Sequence, residues 1–66
     1  MNVAEVRRRV KRIKLIALDD EAAHSYEDEL WDDVLSAIAR GKVANPAGVA
    51  AAALATKDIA FSRWCA

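Results

Sequence analysis

A single cysteine, Cys65, rules out any disulfide within the chain, and with His24 as the sole imidazole the usual ligands of a compact metal centre are missing. Glycine is confined to Gly41 and Gly48, so there is no glycine-rich loop to cradle a phosphate. No apolar run approaches the roughly 20 residues that cross a bilayer. The longest strongly apolar run near the N-terminus, residues 15–18, is also far short of a secretory signal core. Strand-like alternation, internal repeats and low-complexity linkers are absent from the sequence. There is no excess of either charge: ten basic residues face ten acidic ones, which leaves no overall field to attract nucleic acid or an anionic membrane.

The distribution of charge is far from even. Residues 1–18 hold six bases and one acid, residues 19–33 hold eight acids and no Lys or Arg, and residues 34–66 hold four bases and one acid. This pattern leads to the expectation that the blocks neutralise one another in space. At 66 residues the chain makes one small domain. Such a domain buries only about 60% of the surface its unfolded chain exposes. Without disulfides or a metal, the natural supplement is oligomerisation.

The hydrophobic pattern is that of an all-α protein. Residues 2–18 read as a first helix, with Val3, Val6, Val10, Ile13 and Ala17 on one stripe and Arg7, Arg8, Lys11, Arg12 and Lys14 opposite. Leu15 and Leu18 fall off the stripe and are expected to touch another part of the structure. Residues 20–40 read as a second helix, with Asp19 or Asp20 as its cap and Gly41 as its terminator. Its apolar side chains, Ala23, Tyr26, Leu30, Trp31, Val34, Leu35, Ala37 and Ile38, cover an arc of about 180°. That arc is wide enough for two neighbours. Glu27 projects into it and is expected to pair with a base of the first helix or of another subunit. Asn45-Pro46 opens a third, alanine-rich helix over residues 46–57. Residues 58–66 form an apolar tail in which Ile59, Phe61 and Trp64 dock across the helices or fill a pocket on a neighbouring subunit. The expected architecture is a helical hairpin with a shorter third helix and that tail.

Parts of residues 20–66 carry a resemblance. The combination Glu21-Ala22-Ala23-His24-Ser25, Glu27-Asp28, Val34-Leu35, Ala37-Ile38-Ala39, Ala53-Leu54-Ala55-Thr56 and Asp58-Ile59, closing on Phe61-Ser62-Arg63-Trp64-Cys65-Ala66, resembles a family of small uncharacterised proteins of actinobacterial phages and prophages. The terminal arginine–tryptophan motif is the most specific part. The resemblance implies a small accessory protein in the cytoplasm of a host cell. No catalytic, cofactor or metal residue carries over from it.

The chemistry-bearing clusters read as bland on their own terms. Asp20, His24 and Asp28 share one helix ridge at ligand-like spacing, but an acid-rich helix puts carboxylates beside any histidine. Glu29, Asp32 and Asp33 resemble half of a magnesium site, yet the third helix has no acid to complete it. A Cys65–His24 pair lacks a third group to orient it. The expectation is therefore a protein that is not an enzyme and needs no cofactor. It would act by self-association and by binding a protein, a host protein being one candidate. Val3, Val6, Val10, Ile13, Trp31, Phe61 and Trp64 would supply the contacts. The alternative is a small nucleic-acid-binding factor gripping phosphates with Arg7, Arg8, Lys11 and Arg12. It is weakened by the acidic block and by the alanines where a recognition helix needs polar side chains. Membrane-surface binding is not expected, because the apolar stripe of the first helix lacks aromatic anchors.

Overall fold

The computed structural model describes residues 1–63, and among them the fold is all-α. Three helices, α1 (Val3–Leu15), α2 (Asp20–Ala39) and α3 (Pro46–Leu54), are followed by a 3₁₀ turn at Ala55–Asp58 and an extended segment, residues 59–63. Each helix starts at a side-chain cap of the type the sequence offers. Asn2 accepts from the Glu5 N–H at 2.9 Å, Asp19 from the Ala22 N–H at 3.1 Å and Asn45 from the Gly48 N–H at 3.0 Å. Pro46 follows the last of these caps, where its missing N–H leaves no bond unmade.

Helix α2 ends in a Schellman motif. The Lys42 N–H reaches back to the Ala37 carbonyl and the Gly41 N–H to the Ile38 carbonyl, each at 3.0 Å, with Gly41 at φ +67°. Its 20 residues set the long dimension of a particle whose Cα extents are 33 × 20 × 14 Å.

Two boundaries differ from the sequence expectation. Helix α1 stops at Leu15, and residues 16–18 form a turn closed by the Asp19 N–H on the Ile16 carbonyl at 2.9 Å. The extended backbone that Asp19 needs as the α2 cap redirects the chain before α1 can continue. Leu15 and Leu18, expected to touch another element, are 76% exposed and fully exposed. Helix α3 likewise stops at Leu54 and tightens into the 3₁₀ turn over residues 55–58.

Each helix packs on the other two. The core is Val6 and Ile13 from α1, Ala23, Leu30 and Val34 from α2, and Val49 and Ala53 from α3. Met1, Val3, Val10, Ile16, Trp31, Ile38, Val43, Ile59 and Phe61 close around it, half-buried. Helices α1 and α2 run antiparallel: Arg9 bonds to Asp33 at 2.9 Å, while Arg12 stands 5.1 Å from the Tyr26 ring centre. The α1 stripe is thus taken up within the chain. Val6 and Ile13, expected as contacts to another subunit or partner, are closed to solvent, and Val3 and Val10 are half-covered. Trp64, Cys65 and Ala66 lie outside the described residues.

Candidate functional site

Glu27 lies on the core side of α2 and is only 7% exposed. The sequence expectation gave it a base from α1 or from another subunit. The structure gives it Arg63, from the segment that follows the 3₁₀ turn. Arg63 Nε donates to Glu27 Oε1 at 2.8 Å and Nη2 to Oε2 at 3.0 Å, a bidentate pair. The same guanidinium donates to the backbone carbonyls of Thr56 at 2.8 Å, Ile59 at 3.2 Å and Phe61 at 3.2 Å. It also lies over the Phe61 ring, 3.8 Å from its centre.

Hydrogen bonding to Arg63 holds the Glu27 carboxyl below its ordinary range. Burial pushes the other way, and the Thr56 hydroxyl and smaller charge effects of Arg63 and His24 add to the lowering. The Glu27 carboxylate in turn raises the Arg63 pKa. Asp20 accepts from the Ser62 N–H at 3.0 Å, which fixes the same segment to the start of α2. Both carboxylate oxygens and all three guanidinium nitrogens are thus engaged from within the chain. The arrangement is a strap over the end of the helices.

Trp31 closes a second junction. Its indole N–H is shared between the Ala53 carbonyl at 3.2 Å and Thr56 Oγ1 at 3.1 Å, which ties α2 to the end of α3. One face of the ring remains on the wall of a groove between α2 and α3. Val34, Leu35, Ala50, Ala53 and Leu54 line the rest, around a volume of about 220 Å³. The lining presents almost no polar surface, and Leu35 and Leu54 on its rim are 64% and 52% exposed. The apolar arc of α2 is not fully covered: Leu35 stays exposed because the short, alanine-rich α3 is too slight to reach over it, and Tyr26, on the α1 side, is partly exposed beneath Arg12. The sequence carried a signal for Leu54: it lies five positions from Val49, so one helical face cannot bury both.

The basic face of α1 is largely free. Arg7, Arg8, Lys11, Arg12 and Lys14 are exposed, and of the α1 bases only Arg9 forms an ion pair with an acid of α2 among the described residues. Arg12 turns toward Tyr26 instead. The charge blocks therefore do not neutralise one another as expected. Arg9 and Arg12 of α1 share one cleft with Glu29 and Asp33 of α2, while Arg7, Arg8, Lys11 and Lys14 make no ion pair among the described residues.

The metal-like clusters stay apart. Asp28 lies 3.6 Å from His24, but Asp20 is engaged by Ser62, and the described residues contain no group of three His, Cys, Asp or Glu side chains placed to hold a metal ion. Among the same residues, no helix is long and apolar enough to cross a membrane. Comparisons with protein-family models, with curated proteins and with solved structures find no match for this chain.

Proposed function

We propose that this chain is a non-enzymatic accessory protein of the phage and prophage type, working in a host-cell cytoplasm by binding protein surfaces, copies of itself among them. The supporting observation is the groove between α2 and α3, floored by Trp31, Val34 and Ala53 and flanked by the exposed Leu35 and Leu54. An apolar groove of this kind suits a large aliphatic or aromatic side chain from a partner protein. The phage assignment rests on the resemblance of residues 20–66 and on nothing else.

The test is affinity capture from a bacterial host lysate, with and without nuclease, using wild type and Leu54→Asp, alongside the mass of each in solution. Leu54 is half-exposed, so the fold should tolerate the substitution, and circular dichroism of the variant checks that helicity is kept. The reading expects a nuclease-resistant protein partner or a wild-type mass above that of a monomer, with either lost in Leu54→Asp. A monomer that retains nothing overturns it.

A second reading is supported by the exposed face of α1. Arg7, Arg8, Lys11 and Lys14 have no acidic partner among the described residues, which leaves them available to phosphates. It predicts binding to labelled duplex or single strands that falls steeply with salt and is lost in Arg7→Ala/Arg8→Ala. Absence of binding at low salt sinks it.

A further inference from the structure

The charges that α1 and α2 leave unmatched form two stripes of matching length, Lys11 to Leu18 and Asp28 to Leu35 each covering seven positions. On α1, Arg7, Lys11 and Lys14 follow at intervals of four and three, and Leu18 stands four residues further on in the turn. On α2, Asp28, Asp32 and Leu35 follow at intervals of four and three. Such intervals keep Arg7, Lys11 and Lys14, and likewise Asp28, Asp32 and Leu35, on one face of their helix, and Leu18 lines the same cleft as the three bases. All seven side chains are exposed. None of the three bases lies within ion-pair distance of an acid among the described residues, nor does Asp32 of a base, and Asp28 has only His24 at 3.6 Å.

We propose that a second copy of this chain docks on these stripes, the basic face of α1 in one protomer against the acidic face of α2 in the other. This rests on the reading of the protein as self-associating and names the surface that does it. In a parallel register Lys11 falls opposite Asp28 of the partner subunit, Lys14 opposite Asp32 of the partner subunit, and Leu18 meets Leu35 of the partner subunit. Charge selects this pairing. Helix α1 carries six bases and one acid and α2 seven acids and no Lys or Arg, so α1 on α1 and α2 on α2 repel. The zero net charge of the chain removes the general repulsion that would oppose association of identical molecules. A phosphate backbone would match the basic stripe alone, leaving the acids and both leucines without a partner. A second copy matches all of them. The contact closes as a two-fold dimer when both reciprocal α1–α2 pairings form at once, and otherwise runs head-to-tail into a ring or chain.

The test is sedimentation velocity of the full chain at roughly 0.02 M and 0.5 M salt. Three samples are compared: wild type, Lys11→Glu/Lys14→Glu, and Asp28→Lys/Asp32→Lys. Circular dichroism confirms that helicity is kept. The expected result is salt-sensitive association of wild type, weakened about tenfold or more in each reversed variant. An equimolar mixture of the two variants should associate again, because the acidic α1 of one then meets the basic α2 of the other. A general loss of structure would not produce that rescue. Wild type that is monomeric at low salt overturns this proposal together with the self-association reading. Reversed variants that associate like wild type overturn this proposal alone and leave the apolar groove as the contact. A mixture that stays monomeric overturns the pairing of the two stripes.

Discussion

Replacing Glu27 with glutamine keeps the shape of the side chain and removes its charge. An amide can still accept one hydrogen bond from Arg63, but its NH₂ then faces a guanidinium N–H. The loss is one charge-assisted bond together with the ion pair, about 1.5–3 kcal/mol for a buried case. Arg63 is one-third exposed and can rehydrate, so the lower end of that range, about 1.5 kcal/mol, applies. Arg63→Met is costlier. It leaves the Glu27 carboxylate buried without its partner, which in a closed site costs about 3–5 kcal/mol. It also removes the donor to three backbone carbonyls. The cost has a ceiling, however, because residues 59–63 can detach and let water reach Glu27. Local release of that kind limits the loss to about 2–3 kcal/mol. In a domain this small, about 1 kcal/mol moves the melting temperature by about 4–8 °C, so both effects are readily measured by thermal melts. The double variant should lose less than the two single losses together, with a coupling of about 1 kcal/mol or more. A coupling below about 0.3 kcal/mol would refute the assignment of the pair as the clasp of this segment.

The same pair fixes the acid limb of stability. The carboxyl of Glu27 is held below its ordinary value of 4.5, so between the two values the unfolded chain binds the proton and the folded chain does not. The stabilisation is therefore complete above that ordinary value and disappears as pH falls through the folded one. Wild type and Glu27→Gln should differ in melting temperature near neutrality and converge in acid. A difference that stays constant down to strong acid contradicts this account.

Four further outcomes follow from the packing. Leu30→Ala opens a cavity at a fully buried position between the three helices and should cost about 2–5 kcal/mol, read by denaturant unfolding. Gly48→Ala should be nearly neutral despite its contact, because two effects of similar size oppose. An added Cβ would lie 2.2 Å from Asn45 Nδ2 and displace the α3 cap, a loss of about 1 kcal/mol, while alanine in place of glycine gains about as much helix propensity. Gly41→Ala has no such offset, since its φ of +67° is a left-handed conformation, and should cost about 1 kcal/mol. Arg9→Ala should cost less than about 1 kcal/mol, because its bond to Asp33 joins two partly exposed groups.

The helices were legible because their signals are local. Asn2, Asp19 and Asn45 each cap a helix through a hydrogen bond from the N–H three positions on, and Gly41 supplies the positive φ that ends α2. The existence of each helix and most of its start could be read from neighbours in sequence. Its end depended on what came next: α1 stops early because Asp19 must be extended to cap α2. The partner of Glu27 was less accessible. An acid inside an apolar arc demands a base, and that much the pattern says. It does not say that the base lies 36 residues away, because the tight turn after Leu54 that brings Arg63 back is set by tertiary packing. The exposure of Leu18 and Leu35 departs from the sequence pattern for a related reason. Periodicity tells which side chains share a face, but not whether a neighbour is long enough to cover it.

The two surfaces left open respond oppositely to salt, and this separates the ways in which the chain can associate. Matched stripes of exposed lysine and aspartate lose their attraction once the screening length shrinks below the spacing between charges, about 3 Å at 1 M. Contact through the α2–α3 groove has almost no polar lining and depends on removing apolar surface from water. Sulfate or phosphate strengthens such burial. Assembly that dissolves in sodium chloride and is restored by mixing charge-reversed variants belongs to α1 and α2. Assembly that survives salt and fails in Leu54→Asp belongs to the groove. If both occur, the zero net charge has a physical role: it lets a marginal domain with a small apolar core gain a second layer of burial from its neighbours without repelling them.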